Sequence, residues 1–138
     1  MPNGIDLILA DHVRVTELFT AFAENADGSL VGQIVDALTA HDSAEHAALY
    51  PLAATLLDDP QLIERSEAAH REVKQLIEHL RFEEGPPLIE AVAALEAAVT
   101  AHVRDEEKNL LPALAKAATA DQIDGLGARI EQNKQRVG

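Results

Sequence analysis

Apolar residues recur at alternating spacings of three and four positions along most of this chain, which is the pattern of α-helices that each bury one face. Turn-forming groups interrupt the pattern at NADG (25–28), DDP (58–60) and GPP (85–87). We predict a first helix from the cap Asn3 to about residue 24 and a second from Ser29 to about residue 57. A third follows from Asp59 to about residue 84, and a fourth runs from Leu88 to about residue 118.

A shorter fifth helix, capped by Thr119 or Asp121, is predicted over about residues 119–136. The links between the first four helices are short, so consecutive helices are expected to lie antiparallel. The pattern therefore predicts an all-α fold, an up-down-up-down four-helix bundle over about residues 4–118 with the fifth helix appended, in one domain spanning 1–138. Only 3% of the residues are aromatic, so Ala, Leu, Ile and Val must fill the core, which also favours helices.

Six polar residues lie on the apolar faces of the four long helices. The segment HDSAEHAALYPLA from residue 41 returns as HVRDEEKNLLPALA from residue 102, and ADHVRVTELF around residue 12 resembles AAHREVKQLI around residue 70. The chain is therefore interpreted as two copies of a helical hairpin. The first copy supplies His12, His41 and Glu45, and the second supplies His70, His102 and Glu106.

These six side chains are expected to meet in the middle of the core. Each hairpin sets its two histidines roughly 20 Å from its turn, and each glutamate follows one helical turn later on the same face. Two buried carboxylates need multivalent cations to offset the cost of their burial. Six ligands are too many for one tetrahedral zinc ion, so we predict two metal ions, each bound by two histidines and bridged by Glu45 and Glu106. Imidazole and carboxylate without thiolate favour iron over manganese or zinc.

Three nearby polar residues are predicted to stay outside this cluster. His46 and His79 miss the apolar faces, so they are expected to face solvent. Glu107 is the rival of Glu106, but the internal repeat aligns Glu106 with Glu45, which favours Glu106. The chain has one E-x-x-H motif, at 67–70, whereas ferritin-like di-iron bundles need two, so a ferritin-like site is disfavoured.

Tyr50 allows two interpretations. An ideal helix points Tyr50 away from the Glu45 face, which favours a role in core packing. A turn distorted by Pro51 would instead bring the phenol to the metals, as a ligand or as a hydrogen-bond donor beside the ligands.

Composition excludes several other functions. The net charge of −13 disfavours nucleic acid and anionic membrane surfaces. The chain has no cysteine, which excludes disulfides, thiolate metal sites and cysteine nucleophiles. No basic region precedes an apolar stretch at the start, and no apolar run approaches membrane-spanning length, so a cytoplasmic protein is expected.

The pattern His12, His41-x-x-x-Glu45, His70, His102-x-x-x-Glu106 resembles the hemerythrin-like, or HHE cation-binding, family over all four bundle helices. The resemblance implies a non-haem centre of two iron ions with an oxo or hydroxo bridge and bridging carboxylates. Members of the family carry O2, sense O2 or iron, respond to nitric oxide or dispose of peroxide. Small molecules of this kind are therefore the expected binding partners.

Two departures distinguish the chain from the oxygen-carrying members of the family. The carriers have a third-helix His-x-x-x-His, whereas Lys74 stands four residues after His70 here. The carriers also end in His-x-x-x-x-Asp, whereas this chain has His102-x-x-x-Glu106. An open site with two histidines per iron is more similar to the actinobacterial hemerythrin-like proteins.

The resemblance favours an enzyme that turns over hydrogen peroxide in a catalase-like or peroxidase-like manner, with Tyr50 tuning the site or donating a hydrogen bond. The alternative is a non-enzymatic module that binds or senses O2, nitric oxide or iron. A third hypothesis is a folded bundle without metal. The oligomeric state stays open.

Overall fold

Helices account for nearly all of residues 3–137, the part of the chain that the computed structural model describes. Two of the long helices each contain a short π-helical segment. The elements are α1 (Gly4–Asn25), α2 (Gly28–Ala44), a first π segment (Glu45–Leu49), α3 (Tyr50–Leu56), α4 (Pro60–Leu80), α5 (Pro86–Asp105), a second π segment (Glu106–Leu110), α6 (Leu111–Ala117) and α7 (Ala120–Val137). No strand occurs among residues 3–137.

The π segments do not break the helices that contain them. α2, the first π segment and α3 form one bundle helix over 28–56, and α5, the second π segment and α6 form another over 86–117. With α1 and α4 they make four bundle helices, in which α1 packs on α2 and α4 packs on α5. The predicted all-α four-helix bundle with a fifth, C-terminal helix is therefore confirmed.

Helix ends depart from the predicted ones at the start of α2, at the end of α4 and at the start of α5, which begins at Pro86 and not at Leu88. Asp27, rather than Ser29, caps α2, and its side chain accepts a hydrogen bond from the Ser29 backbone N–H at 2.9 Å. α4 ends at Leu80, short of the expected residue 84, because Leu80 is its last buried side chain and the residues that follow have no core to pack against. Gly85 then takes a positive φ of 63°, a conformation that glycine adopts without a steric penalty, and α5 begins at Pro86.

The apolar core is divided by a polar layer into two clusters. The turn-side core lies near the α1–α2 and α4–α5 turns and contains Val15, Phe19, Phe22, Ile34, Leu38 and Leu95. The tail-side core lies at the other end and contains Ile8, Leu49, Leu110, Leu114, Leu126 and Ile130. Each cluster buries apolar area that stabilises the bundle, and together they fix the helices on both sides of the polar layer.

α7 packs into the bundle and is more than an appended tail. Leu126 and Ile130 of α7 are buried in the tail-side core. Leu126 approaches Gly4 so closely that a Cβ atom at position 4 would lie 2.4 Å from its Cγ, so only glycine permits this contact. None of the helices within the described residues is long and apolar enough to cross a membrane.

Candidate metal centre

The polar layer contains all six of the residues that the repeat singled out. Glu45 and Glu106 have no solvent exposure, and the four histidines are between 3% and 7% exposed. Residues as polar as these are rarely so deeply buried unless they are paired or bind a metal. The structure thus brings together His12, His41, Glu45, His70, His102 and Glu106.

Both glutamates stand at the first position of a π segment. In each segment a backbone N–H bonds to the carbonyl five residues earlier, from residue 50 to Glu45 and from residue 111 to Glu106. A proline stands two residues after the end of each segment, Pro51 in one copy and Pro112 in the other. Proline lacks an N–H and its ring collides with the carbonyl four residues earlier, so widening the turn by one residue relieves both problems without ending the helix.

The widened turn changes where Tyr50 points. Its hydroxyl oxygen lies 3.2 Å from Glu45 Oε1, 3.2 Å from Glu106 Oε2 and 2.7 Å from His70 Nε2. The expectation that Tyr50 points away from the Glu45 face is therefore wrong, although its ring does pack in the tail-side core. The alternative, in which a distorted turn brings the phenol to the site, describes the position of the hydroxyl. The second copy of the repeat has buried Leu111 at the corresponding position.

The inner ligand atoms form two overlapping groups. One group contains His12, His41, Glu45 and Glu106, and the other contains Glu45, His70, His102 and Glu106. Within each group the candidate ligand atoms all lie within 4.8 Å of one another. Both glutamates belong to both groups. This is the arrangement expected for two cations that each contact two histidines and share two carboxylates.

The chemistry of the cluster fits cations better than an internal hydrogen-bond network. His12 Nε2 lies 3.2 Å from Glu106 Oε1, and His41 Nε2 lies 3.2 Å from Glu45 Oε1, yet neither nitrogen has a hydrogen-bond partner. Glu45 Oε2 and Glu106 Oε1 are also buried and without a hydrogen bond. A buried unsatisfied polar atom costs about 1–3 kcal/mol, and a shared cation would satisfy all four atoms.

Two imidazoles of this cluster, those of His41 and His102, hold protons when no cation is bound. Burial opposes a charge on His41, but the negative charge of Glu45 and the hydrogen bond to Asp11 outweigh it and raise the pKa of His41 to about 10. Burial likewise opposes a charge on His102, but hydrogen bonds to Glu106 and Glu45 raise its pKa to about 9. Burial would raise the pKa of Glu45, but the charge on His41 and the hydrogen bonds with Glu106, His102 and His41 together hold it well below its usual value. Metal binding must therefore release protons from these imidazoles.

A second set of carboxylates contacts the outer nitrogens of the histidines. His12 Nδ1 donates to Glu107 Oε2 at 2.7 Å, and His41 Nδ1 donates to Asp11 Oδ2 at 3.0 Å. His70 Nδ1 donates to Asp42 Oδ1. A carboxylate on Nδ1 fixes the tautomer and the ring orientation, so that Nε2 offers its lone pair to the centre of the cluster.

His102 differs from the other three histidines. Its Nδ1 is buried and has no hydrogen-bond partner among the residues that the structure describes. We call His12 and His41 the first half-site, and His70 and His102 the second half-site. The first half-site has two outer carboxylates and the second has one.

The outer residues were missed or misjudged from the sequence. Glu107 is outside the inner cluster, as predicted, but it orients His12. Asp11 and Asp42 each adjoin a predicted ligand in the sequence, in the pairs Asp11-His12 and His41-Asp42, and that adjacency is the signal that could have identified them. Each aspartate contacts a histidine of another helix and not its own sequence neighbour.

His46, His79 and Lys74 lie at the surface. The two histidines are exposed, as predicted, although the His46 ring packs edge-on against the rings of Tyr50 and His70, with centroids 5.2 and 4.9 Å away. Lys74 extends toward Asp42, with 3.7 Å between Nζ and Oδ2. Its ammonium group does not reach the inner cluster.

A small cavity adjoins the histidines on the side opposite the glutamates. Its volume is about 70 Å³, and exposed Thr39 and Lys74 mark its solvent side between α2 and α4. Its walls are mostly apolar and include Val15, Leu38, Val73, Ile77, Val99 and Val103 beside all four histidines of the cluster. The cavity gives a small molecule access to the place where the inner nitrogens converge.

Comparisons with known proteins agree with this geometry. The family model described as the hemerythrin HHE cation binding domain matches residues 3–129. A crystal structure of a hemerythrin HHE cation binding domain-containing protein from Mycobacterium kansasii superposes with a TM-score of 0.82. The superposition covers 99% of this chain and 90% of the Mycobacterium kansasii chain at 24% sequence identity, so it shows a common fold and no more.

A curated relative is similar over nearly the whole chain. It is described as a DNA nickase of a Nostoc species and is 28% identical over 141 aligned positions. The match covers 98% of this chain but 40% of the relative, so this chain spans about two fifths of that protein's length.

Proposed function

Since the chain belongs to the hemerythrin HHE cation-binding domain family, we propose that its buried cluster binds two iron ions and turns over hydrogen peroxide. The observation that carries the proposal is the pair of fully buried glutamates shared between two groups of ligands. No other group of His, Cys, Asp or Glu within residues 3–137 has this combination of burial, number and shared carboxylates. Imidazole and carboxylate ligands without thiolate favour iron.

The chain's own residues would have distinct tasks in this reaction. The four histidines and two glutamates would hold the ions, which would supply Lewis acidity and redox capacity. In the catalase-like reaction one peroxide is oxidised to O2 while a second is reduced to two molecules of water. The two protons lost by the first peroxide are taken up by the second, so the reaction as a whole neither consumes nor releases protons.

Tyr50 is the candidate for a hydrogen-bond donor at the site. Burial and the charges of Glu45 and Glu106 raise the pKa of its phenol well above the usual value, so the hydroxyl keeps its proton. The hydroxyl lies within 3.2 Å of both glutamates. We propose that it donates a hydrogen bond at the site, or serves as a ligand to the ion beside His70.

The cavity supports a small substrate. A cavity of about 70 Å³ beside the histidines has room for a few water-sized molecules, which suits hydrogen peroxide. Its apolar walls suit O2 and nitric oxide equally well, so reversible binding of such a ligand without turnover is the second candidate. The net charge of −13 disfavours contact with DNA phosphates, so we do not extend the nickase activity of the Nostoc relative to this chain.

Peroxide turnover is tested on protein loaded with ferrous iron under anaerobic conditions. We expect two iron ions per chain by elemental analysis, and O2 evolution at an oxygen electrode on addition of peroxide. His102→Ala should lose iron from the second half-site and abolish O2 evolution, whereas His79→Ala, at an exposed position, should change neither. If protein with two irons evolves no O2, peroxide turnover is wrong. A stable, reversible spectrum with O2 or nitric oxide would then support the binding module.

A further inference from the structure

α7 lies beside the first half-site and contributes two polar contacts to it. Lys134 Nζ donates to Asp11 Oδ1 at 2.5 Å, and Asn133 Nδ2 donates to Ser43 Oγ at 3.0 Å. Asp11 lies next to the ligand His12 in the sequence, and Ser43 lies between the ligands His41 and Glu45. The C-terminal helix therefore touches the helices that carry this half-site directly beside its ligands.

We propose that Lys134 is a positioning residue of the metal centre, which fixes His41 by holding Asp11. This inference rests on the proposed metal binding, but it concerns which part of the chain shapes the site. A continuous series of contacts carries it. Lys134 holds one oxygen of Asp11, the other oxygen of Asp11 accepts from His41 Nδ1 at 3.0 Å, and His41 Nε2 faces Glu45 Oε1 at 3.2 Å.

The two oxygens of Asp11 have different partners, and this determines what Lys134 does. With His41 as its only partner, the Asp11 carboxylate could rotate, so that either of its oxygens could face His41 or the solvent. The bond from Lys134 restricts that rotation, so the oxygen on His41 stays in the plane that the imidazole needs. The tautomer with a proton on Nδ1 is then held, and Nε2 is left as the free lone pair that faces the metal position.

The contact is unlike an ordinary surface ion pair. The Asp11 side chain is 19% exposed and the Lys134 side chain is 34% exposed, so the pair is partly shielded from water. It joins residues 123 positions apart, across two helices that also share a buried apolar contact between Gly4 and Leu126.

The second half-site has no corresponding device. The internal repeat aligns Asp11 with Ala69, which has no carboxylate to offer to His102. The outer faces of α4 and α5 beside His102 form an open groove lined largely by alanines, among them Ala68, Ala69, Ala97, Ala98 and Ala101. The ligands are thus repeated in the second hairpin, but the supporting contact between Asp11 and Lys134 is not. This assigns the role of α7 to the first half-site alone.

The test compares Lys134→Met with Arg129→Met. Arg129 is an exposed residue on the same helix, and both changes remove one positive charge. Metal-free protein is titrated with Co²⁺, and occupancy, affinity and the visible absorption of bound Co²⁺ are recorded. We expect two ions in each protein, with a loss of about 10–100-fold in the affinity of one ion and an altered spectrum in Lys134→Met only. Lys134→Arg, which keeps the charge, should restore most of the affinity.

The outcomes separate this inference from the proposed function. If the wild-type chain binds no Co²⁺ and no iron, the proposed metal function is wrong. If the wild-type chain binds two ions and Lys134→Met matches Arg129→Met in affinity and spectrum, the positioning role is wrong while the metal function stands. A loss that Lys134→Arg does not reduce would indicate damage to the packing of α7 and would also overturn the inference. Should Lys134→Met melt at a lower temperature than Arg129→Met, the change is repeated in Asp11→Ala protein, in which Lys134 has no carboxylate to hold. There Lys134→Met should cause no further loss of affinity, and a further loss would overturn the inference.

Discussion

The two half-sites have the same ligands but different surroundings. In the first, the outer nitrogens of both histidines contact carboxylates, and α7 covers the hairpin on that side. In the second, only His70 has an outer carboxylate, and the Nδ1 of His102 has no partner within the described part of the chain. Tyr50 adds a further asymmetry, because it belongs to the first hairpin but its hydroxyl lies 2.7 Å from His70 of the second.

The internal repeat preserves the inner ligands but not the outer carboxylates. The inner cluster would have to hold both of the proposed ions at once, which accounts for the presence of its histidines and glutamates in both copies. Each outer carboxylate contacts a single imidazole, so one copy of the repeat can lack a carboxylate and its half-site can still bind metal. We infer that the first half-site holds its ion more tightly than the second.

The largest effect is expected for a residue that both half-sites share. Glu45→Gln keeps the shape of the side chain but removes the charge that faces both groups of ligands, so we expect both ions to bind more than about 100-fold more weakly. The measurement is metal content per chain after gel filtration of iron-loaded protein. Glu107→Gln is the matched control, because His12 is the one polar partner of Glu107 among residues 3–137 and the change should leave the second half-site filled. Loss of a single ion in Glu45→Gln would show that the half-sites are independent.

The inner cluster was predictable because helix geometry fixes it. Histidines at equal distances from a turn and glutamates four residues later must share a height and a face once the helices pair, whatever the details of packing. The bundle follows from the same pattern, since four amphipathic helices joined by short links can bury their apolar faces together. These conclusions need only the period of the helix and the positions of the turns.

The approach of Tyr50 and the outer carboxylates were not predictable in the same way. Tyr50 reaches the site because Pro51 widens the turn, which an ideal helical period does not describe. Asp11 contacts His41 of the next helix and not its neighbour His12, so its partner depends on the rotation of one helix against another. Lys134 lies 123 residues from Asp11, and no sequence spacing links the two.

The pH dependence of stability should distinguish the half-sites in the metal-free protein. The pKa of His41 is raised to about 10 with Asp11 as an outer partner, and that of His102 is raised to about 9 without one. A histidine whose pKa is raised in the folded protein stabilises the fold fully below pH 6.5, which is its pKa in the unfolded chain. This stabilisation is lost as the pH rises through the pKa of the folded protein. The free energy of unfolding should therefore fall between about pH 6.5 and pH 10, by up to about 1.4 kcal/mol per pH unit for each proton.

Urea unfolding in the presence of a chelator at pH 7, 8.5 and 10 measures this fall, and imidazole NMR signals report the order of proton loss. His102 should lose its proton before His41. Asp11→Asn should bring the pKa of His41 closer to that of His102, because it weakens the outer contact. Equal stability at pH 7 and pH 10, or loss of the His41 proton first, would contradict the asymmetry.

The smallest effect is expected when the second half-site is given the outer carboxylate that it lacks. Ala69→Asp places a carboxylate at the position that corresponds to Asp11, beside the unpartnered Nδ1 of His102. The new hydrogen bond should slow the release of the more weakly held ion to a chelator a few-fold, while the release of the other ion stays unchanged. Ala97→Asp adds the same charge in the same groove one turn of α5 or more from His102, so it controls for the charge alone. If both variants slow release equally, the effect is general electrostatic attraction. Slower release in Ala69→Asp alone would show that the two halves differ in metal affinity because one carboxylate is missing from the second copy of the repeat.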